Sequence, residues 1–473
     1  MQDSVLISGK FRVIHAGHIR LFRLGKELAK KLVVAIDVSN LELEEIAWRL
    51  KVLESIEYVD QVIQYDEFIE PIIRKLQPSI ILKGVEFKDA TNVESVILEE
   101  YGGKLLFTSG VNYFTESDLI TTGDENFSRN LLLLPQAFMQ RNAITQQRLR
   151  DEIEKFVELR VCVIGDVIVD EYINCHPLGM SQEEPTVVVT PIDSKRFLGG
   201  AGIVAAHCRS LGAKTTLISV TGEDEIGRWG VEKAKEYGLN VKITVDATRP
   251  TTLKQRYRSG TQTLLKVSYL RQDGISTEIQ KQIVEAFRSL AGDIDLLIFS
   301  DFSYGALTEQ VINEITSIAR DKRIFISADS QTSSQIGNLM KFKGIDLITP
   351  TEREARIELR DQTSGLVIIA EKVRTSVDSK NILLKMGSDG VLISGLDKDR
   401  KVVPTDEIKG LNRNAIDTSG AGDSMLAAAS LALASGADLY LAALLGSIVA
   451  GIQVSRIGNL PISRDLVYSI LDL

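Results

Sequence analysis

Between Ile416 and Ser424 the chain reads Ile-Asp-Thr-Ser-Gly-Ala-Gly-Asp-Ser, and an Ala-rich, apolar-periodic run follows from Met425 to about Ala434. The run reads as a helix. Gly420 and Gly422 let the backbone turn tightly and leave its N–H groups unobstructed. A helix that begins there adds its positive end to those donors, so the turn suits an anion, most naturally a phosphate. Asp423 stands beside this anion hole, placed to take a proton from an attacking hydroxyl. The plain alternative is a glycine turn ahead of a core helix, and a lone Gly-x-Gly has that meaning more often than not. Nine specific residues followed by the right kind of helix favour function.

The rest of the chain is read around that turn. At 473 residues it predicts two or three domains. From residue 4 to 108 strand-like and helix-like stretches alternate with short links, which predicts a parallel α/β sheet. The stretch 110–155 breaks the rhythm and is taken as the connection, with a charged helix over Gln146–Val157. A second α/β region begins at Arg160, with strands at Val161–Ile164, Leu296–Ser300, Ile324–Ala328, Leu347–Thr349 and Ile382–Lys385. Thr186–Leu198 and Val241–Leu270 are rich in Val, Thr, Tyr and Lys, and are expected as antiparallel strands forming a small β-lid. The predicted class is α/β, with domains over 1–120 and 158–473 and a linker over 121–157.

Composition removes several functions. A net charge of −9 argues against a general nucleic-acid surface. The apolar stretch Leu441–Ile452 is shorter than the ~20 residues that a membrane span needs, and reads as a buried helix. No basic stretch followed by an apolar one marks a signal peptide. Cys162, Cys175 and Cys208 have no paired metal spacing, and their odd number fits reduced thiols of a cytoplasm.

A second constellation follows the first strand. Gly9-Lys10-Phe11-Arg12-Val13-Ile14-His15-Ala16-Gly17-His18 opens a helix, and its two histidines can point at one phosphate. It resembles the Gly-x-Phe-Asp-x-x-His-x-Gly-His signature of cytidylyltransferase-like nucleotidyltransferases over residues 4–120. The resemblance implies that His15 and His18 act on a nucleoside triphosphate, with Gly9, Phe11 and Lys83 (of Ile80-Ile81-Leu82-Lys83-Gly84) beside it. There are departures. Arg12 stands where Asp is usual. An acidic stretch, Leu41–Glu45, replaces the basic loop. Phe114-Thr115-Glu116-Ser117-Asp118 brings two acids to the late motif.

Asp417–Asp423 resembles the Asp-Thr-x-Gly-Ala-Gly-Asp signature of ribokinase-like carbohydrate kinases, and its companions occur in order over 160–470. Gly165–Asp170 looks like the first-strand motif, implying sugar contacts by Asp166 and Asp170. Leu198-Gly199-Gly200-Ala201-Gly202 looks like the Gly-Gly motif that closes on the sugar. Lys385-Met386-Gly387-Ser388-Asp389-Gly390 resembles the nucleotide-holding turn, implying that Lys385, Gly387, Gly390 and Asp417 bind the cofactor. Thr349–Glu354 resembles the motif whose acid, here Glu354, supports Mg²⁺ through water. Gly420, Ala421 and Gly422 would hold the phosphoryl charge and Asp423 would be the base.

The nearer resemblance is to the bifunctional ADP-heptose synthases, carried by Ser181–Pro185, Thr252–Arg256 and Ser300–Leu307, with the domain order reversed. It implies a heptose-phosphate kinase paired with a nucleotidyltransferase, using ATP and Mg²⁺, in ADP-heptose and lipopolysaccharide biosynthesis, as a cytoplasmic homodimer through the kinase domain. Lys254 and Arg256 are the cations left for a sugar phosphate. Ile203, Tyr304, Asp329-Ser330-Gln331 and Thr351 depart from the pattern, so sugar recognition is expected to have changed. Two alternatives stay open: a sugar kinase whose first domain only binds nucleotide or mediates assembly, and a non-catalytic sugar- or nucleotide-binding protein.

Overall fold

The computed structural model describes residues 2–11, 14, 16–39, 43–66, 68–83, 94–107, 132–181, 183–260, 262–331, 338–396, 401–412 and 415–471. They form two compact units, Met1–Phe127 and Ser128–Leu473. Arg12, His15, Leu41 and Glu42, and the expected late motif at 114–118 lie outside the described residues.

The first unit is a five-stranded sheet of order β3-β2-β1-β4-β5, built from β1 (Gln2–Gly9), β2 (Lys31–Asp37), β3 (Gln61–Tyr65), β4 (Pro78–Lys83) and β5 (Lys104–Phe107). Every pairing is parallel. Alternation along the strands explains why both faces are covered. Val5 and Ile7 face one apolar cluster with Phe22 and Leu53. Leu6 faces another with Ile73 and Leu98.

The second unit has β6 (Arg160–Gly165), β7 (Val167–Met180), β8 (Val187–Gly200), β9 (Lys214–Thr221), β10 (Asn240–Val245), β11 (Thr252–Ser259), β12 (Gln262–Tyr269), β13 (Leu296–Asp301), β14 (Phe325–Ser330), β15 (Leu347–Ile348), β16 (Asn381–Lys385), β17 (Val391–Gly395) and β18 (Asp406–Ile408). The main sheet runs β10-β9-β6-β13-β14-β15-β16-β17-β18. It is parallel as far as β16 and antiparallel at the last two pairings. Val161 and Val163 of β6 point into one core, Cys162 and Ile164 into the other. The first core takes the helices Ala421–Ala434 and Leu439–Gln453, the second the helices Thr277–Arg288 and Glu309–Asp321.

A four-stranded sheet, β12-β11-β7-β8, forms the lid. Two expectations are corrected here. Val241–Val245 is not in the lid: as β10 it pairs parallel with β9 at the edge of the main sheet. The lid is not wholly antiparallel either, because β11 runs parallel to β7. An 8–12-residue rhythm of Val and Thr cannot distinguish a short edge strand of one sheet from the strands of its neighbour. The stretch expected as a linker is also built into this unit from Leu132 onward. It carries the helices Gln136–Arg141 and Gln146–Glu154, and buries Phe138, Met139, Leu149 and Ile153 in the first core.

Candidate active site

A cavity of about 540 Å³ opens beyond the carboxyl ends of β13, β14 and β16 in the second unit. Ligand crevices of open α/β sheets lie at such strand ends. Its floor is the turn Thr418–Asp423, which enters the helix Ala421–Ala434. Gly420 caps that helix with a φ of +76°, and a Cβ there would lie 2.2 Å from Asn459 Oδ1. Only glycine fits. The first helical N–H groups have no acceptor within the helix, and that of Ala421 makes only a long contact to Thr418 O at 3.5 Å.

Asp423 is buried and lines this cavity. Gln331 Nε2 donates to its Oδ1 at 2.9 Å. Burial, aided by the neighbouring Asp329 charge, pushes the Asp423 carboxyl up to about 7, although Lys385 pulls the other way. A carboxyl poised near neutrality suits a proton acceptor at physiological pH. Lys385 ends β16, and its Nζ donates to Asp329 Oδ2 at 2.8 Å, both groups being buried. Burial works against the Lys385 charge, but Asp329, Glu354 and Asp423 outweigh it and raise its pKa. Burial pushes Asp329 up to about 6 despite the Lys385 ammonium.

At the other end of the cavity stands Asp170, on β7. Asn459 Nδ2 donates to its Oδ2 at 3.3 Å, and Arg256 Nη2 lies 3.6 Å from its Oδ1. The β7–β11 register places Lys254 opposite Asp170. Lys254 Nζ sits 5.0 Å from the ring centres of both Phe302 and Tyr304. Gly200, Gly387 and Gly390 also line the cavity. Gly199 does not, but a Cβ there would meet Asp170 Oδ2 at 2.6 Å, so its bareness makes room for the acid.

Two expected ligands prove to be anchors of loops. Asp166 lies outside this cavity's lining, and its carboxylate accepts N–H bonds from Phe302, Tyr304 and Ala306 at 2.9, 3.3 and 3.1 Å. Asp417 accepts from Tyr172 Oη, the Ser419 N–H and the Gly458 N–H at 2.8, 3.0 and 3.1 Å. Despite burial these bonds hold it below the ordinary carboxylate range. Both acids shape the site by fixing backbone. Sequence reading marked Gln331 only as part of the departing Asp329-Ser330-Gln331 stretch, without a role, and missed Asn459. Gln331 had a second usable signal, its place just after the end of β14, in line with Lys385 at the end of β16.

Glu354 lines the cavity and serves its own helix, Glu352–Leu359. The Thr351 hydroxyl accepts the Glu354 N–H at 3.2 Å, and Glu354 Oε2 accepts the Thr351 N–H at 2.7 Å. Among the described residues no cluster of three metal-ligating side chains forms. The donors still suit Mg²⁺, which keeps several waters and takes one or two carboxylates together with phosphates. Glu354 is such a hard oxygen donor in the cavity lining, whereas Asp329 is buried against Lys385.

In the first unit Gly9, Phe11 and His18 stand together after β1, and Lys83 ends β4. Phe11 adopts a φ of +46° and sets its ring 5.2 Å from His18, which lies 6.2 Å from Phe22. A Cβ on Gly9 would press on that Phe11 ring at 3.2 Å. Lys83 Nζ pairs with Glu94 Oε1 at 2.7 Å, and both are largely buried. Arg49 Nη1 donates to Lys10 O at 3.0 Å, a tie across 39 residues that no motif announces.

Comparison with known proteins covers both units. The model of the pfkB family carbohydrate kinases matches residues 158–463. The cytidylyltransferase-like model matches residues 6–106. Curated relatives include the bifunctional protein HldE of Desulfatibacillum aliphaticivorans, 30% identical over 321 residues, covering 66% of this chain and 63% of that protein. HldE of Pelobacter propionicus is 30% identical over 302 residues, covering 63% of this chain and 60% of that protein. The chain thus spans less than two thirds of the length of these relatives. Among solved structures, phosphofructokinase-2 from Escherichia coli in complex with fructose-6-phosphate superposes with a TM-score of 0.53 at 18% identity, over 66% of this chain and 98% of that one. Ribokinase from Thermotoga maritima gives 0.51 at 21%, over 67% and 100%. These two likenesses show the fold of the second unit. With its family model matched across more than half its length, and a phosphate turn, a buried acid and a β-lid in one unit, the chain belongs to the pfkB family of carbohydrate kinases.

Proposed function

We propose that the chain phosphorylates a sugar or sugar phosphate from ATP and couples this to nucleotidyl transfer in its first unit, making a nucleotide-activated sugar of the ADP-heptose kind. The observation that carries the kinase half is Asp423, buried beside the glycine turn at a helix N-terminus with its carboxyl pushed up to about 7. Asp170 orients the acceptor, with Gly199 and Gly200 closing the backbone around it, and Lys254 and Arg256 offer cations to a sugar phosphate. Asp423 takes the hydroxyl proton. The N–H groups of Gly420, Ala421 and Gly422 receive the charge of the transferring phosphoryl group. Gly387 and Gly390 frame the nucleotide. Mg²⁺, held through water by Glu354, would neutralise triphosphate charge. In the first unit His15 and His18, with Gly9, Phe11 and Lys83, would act on the second nucleotide. Exposed Leu178, Met180, Val187 and Ile192 on the lid strands support a homodimer through this unit, since such apolar surface is normally covered. No helix among the described residues is long and apolar enough to cross a membrane, and three buried free thiols fit a cytoplasmic setting.

The test is a panel of sugars and sugar phosphates with MgATP, following ADP and pyrophosphate together. Both products are expected, and His15→Ala should abolish pyrophosphate alone. ADP without pyrophosphate from any acceptor would establish the second reading, a kinase whose first unit only binds nucleotide. One observation favours that reading: Lys83 is already paired with Glu94 at 2.7 Å. Neither product would refute both.

A further inference from the structure

Lys385 is placed unlike Lys254 and Arg256, two other cations of the cavity. It stands at the last position of β16, and its backbone N–H donates to Pro350 O at 2.8 Å, fixing where the side chain starts. Its Nζ comes so close to the phosphate turn that a Cβ on Gly422 would lie 3.0 Å away. Gln331 Nε2 would be 3.8 Å from the same point, and Gln331 also donates to Asp423. So around Gly422 stand the acid, a neutral amide and one ammonium. Lys254 and Arg256 belong to β11 and are engaged with the Phe302 and Tyr304 rings and with Asp170. An ammonium has three donors in rotatable positions. Asp329 takes one at 2.8 Å, which aims the group and leaves donors for the cavity it lines.

We propose that Lys385 is a catalytic cation of this kinase, donating from Nζ to the γ-phosphoryl group of a nucleoside triphosphate while Asp329 holds the ammonium in place. The inference rests on the kinase reading above and adds a role to it. In the step, the acceptor oxygen bonds to the γ-phosphorus. The bond from that phosphorus to the β–γ bridging oxygen breaks, and its electron pair leaves on the diphosphate. The acceptor proton goes to Asp423. Charge spreads over the peripheral oxygens as the group moves, and fixed donors stabilise it without reorganising. The turn supplies partial charges from backbone N–H groups, and Lys385 supplies a whole one. Gly422 is bare on the side where the ammonium must pass, so glycine here serves the lysine as well as the turn.

The experiment uses the full-length chain and Lys385→Met, with Lys385→Arg and the double variant Lys385→Met/Asp329→Asn. Calorimetry with Mg²⁺ compares ADP with the non-hydrolysable triphosphate AMP-PNP. Steady-state kinetics are run on the best acceptor of the panel. Lys385→Met should cut kcat by about 10²–10³-fold, the range for losing one preorganised donor, with the acceptor KM changed by less than about threefold. AMP-PNP affinity should fall about tenfold while ADP affinity holds within about twofold, and Lys385→Arg should recover part of both. A kcat within about threefold of the parent, or equal losses for ADP and AMP-PNP, overturns the proposal. If Lys385→Met alone does not fold because Asp329 is left unpaired, the double variant is neutral on both sides and carries the same comparison. If the parent chain phosphorylates no acceptor, the kinase reading fails, and the AMP-PNP against ADP comparison still decides whether Lys385 meets the terminal phosphate.

Discussion

At the scale of single residues, Asp423 carries the sharpest expectation. Its carboxyl sits near 7 because it is buried and shares its surroundings with Asp329. A base must be deprotonated to work, so kcat/KM for sugar phosphorylation should rise with pH through about 7 and level off above it. Asp423→Asn should abolish turnover with the fold intact by circular dichroism; retained turnover would remove Asp423 as the base. The nine-residue turn made this acid and its glycines legible in the sequence, because a backbone anion hole needs those residues in that order. Gln331, Asn459 and the Asp329–Lys385 pair were not legible as a group. They meet across 56 and more residues through strand ends that periodicity locates only to within a few positions. Asp166 and Asp417 show the reverse case, in which a motif acid is spent on backbone N–H groups of Phe302 and Ser419.

At the scale of elements, the lid separates from the main sheet more narrowly than composition suggests. Thr252–Ser259 and Gln262–Tyr269 are lid strands, whereas Asn240–Val245 is an edge of the main sheet. Hydrogen exchange should therefore slow in residues 252–269 when acceptor binds, and not in 240–245. Equal protection of both segments would deny the lid its separate motion. The strand–helix alternation of both units was legible because buried parallel strands are short apolar runs between amphipathic helices. What escaped was pairing: nothing local tells β11 to lie parallel to β7, since that contact is set by the path of the chain between them.

At the scale of the whole molecule, the second unit begins earlier than its family model. Phe138, Met139, Leu149 and Ile153 lie upstream of residue 158 and are buried in its core. At about 1.5–3 kcal/mol for each fully buried side chain, removing four costs roughly 6–12 kcal/mol, comparable to a domain's whole stability. A fragment spanning 128–473 should fold and phosphorylate, and one spanning 158–473 should aggregate or melt early, as thermal scans would show. His207 sets a pH limit on the same unit. Buried, with Nδ1 accepting the Ile462 N–H at 3.3 Å, it is pushed down to about 3 by burial and then by Arg456. Its folded pKa is below its unfolded one, so the unfolded chain binds the extra proton as pH falls below 6.5, and stability is lost through that window down to about 3. Relative to His207→Gln, the parent should lose about 1.4 kcal/mol per pH unit there in urea midpoints. A constant difference would exclude this titration.

The parallel pairing of β7 with β11 has a practical reach. Because Lys254 faces Asp170 and Arg256 faces Tyr172 in one register, the positions proposed to meet the acceptor recur at every second residue of two neighbouring strands. The phosphoryl-transfer groups lie on other elements: the turn at 418–423, β14 and β16. Selection for a new acceptor can therefore be confined to a library at Lys254 and Arg256, with the phosphoryl-transfer groups left in place.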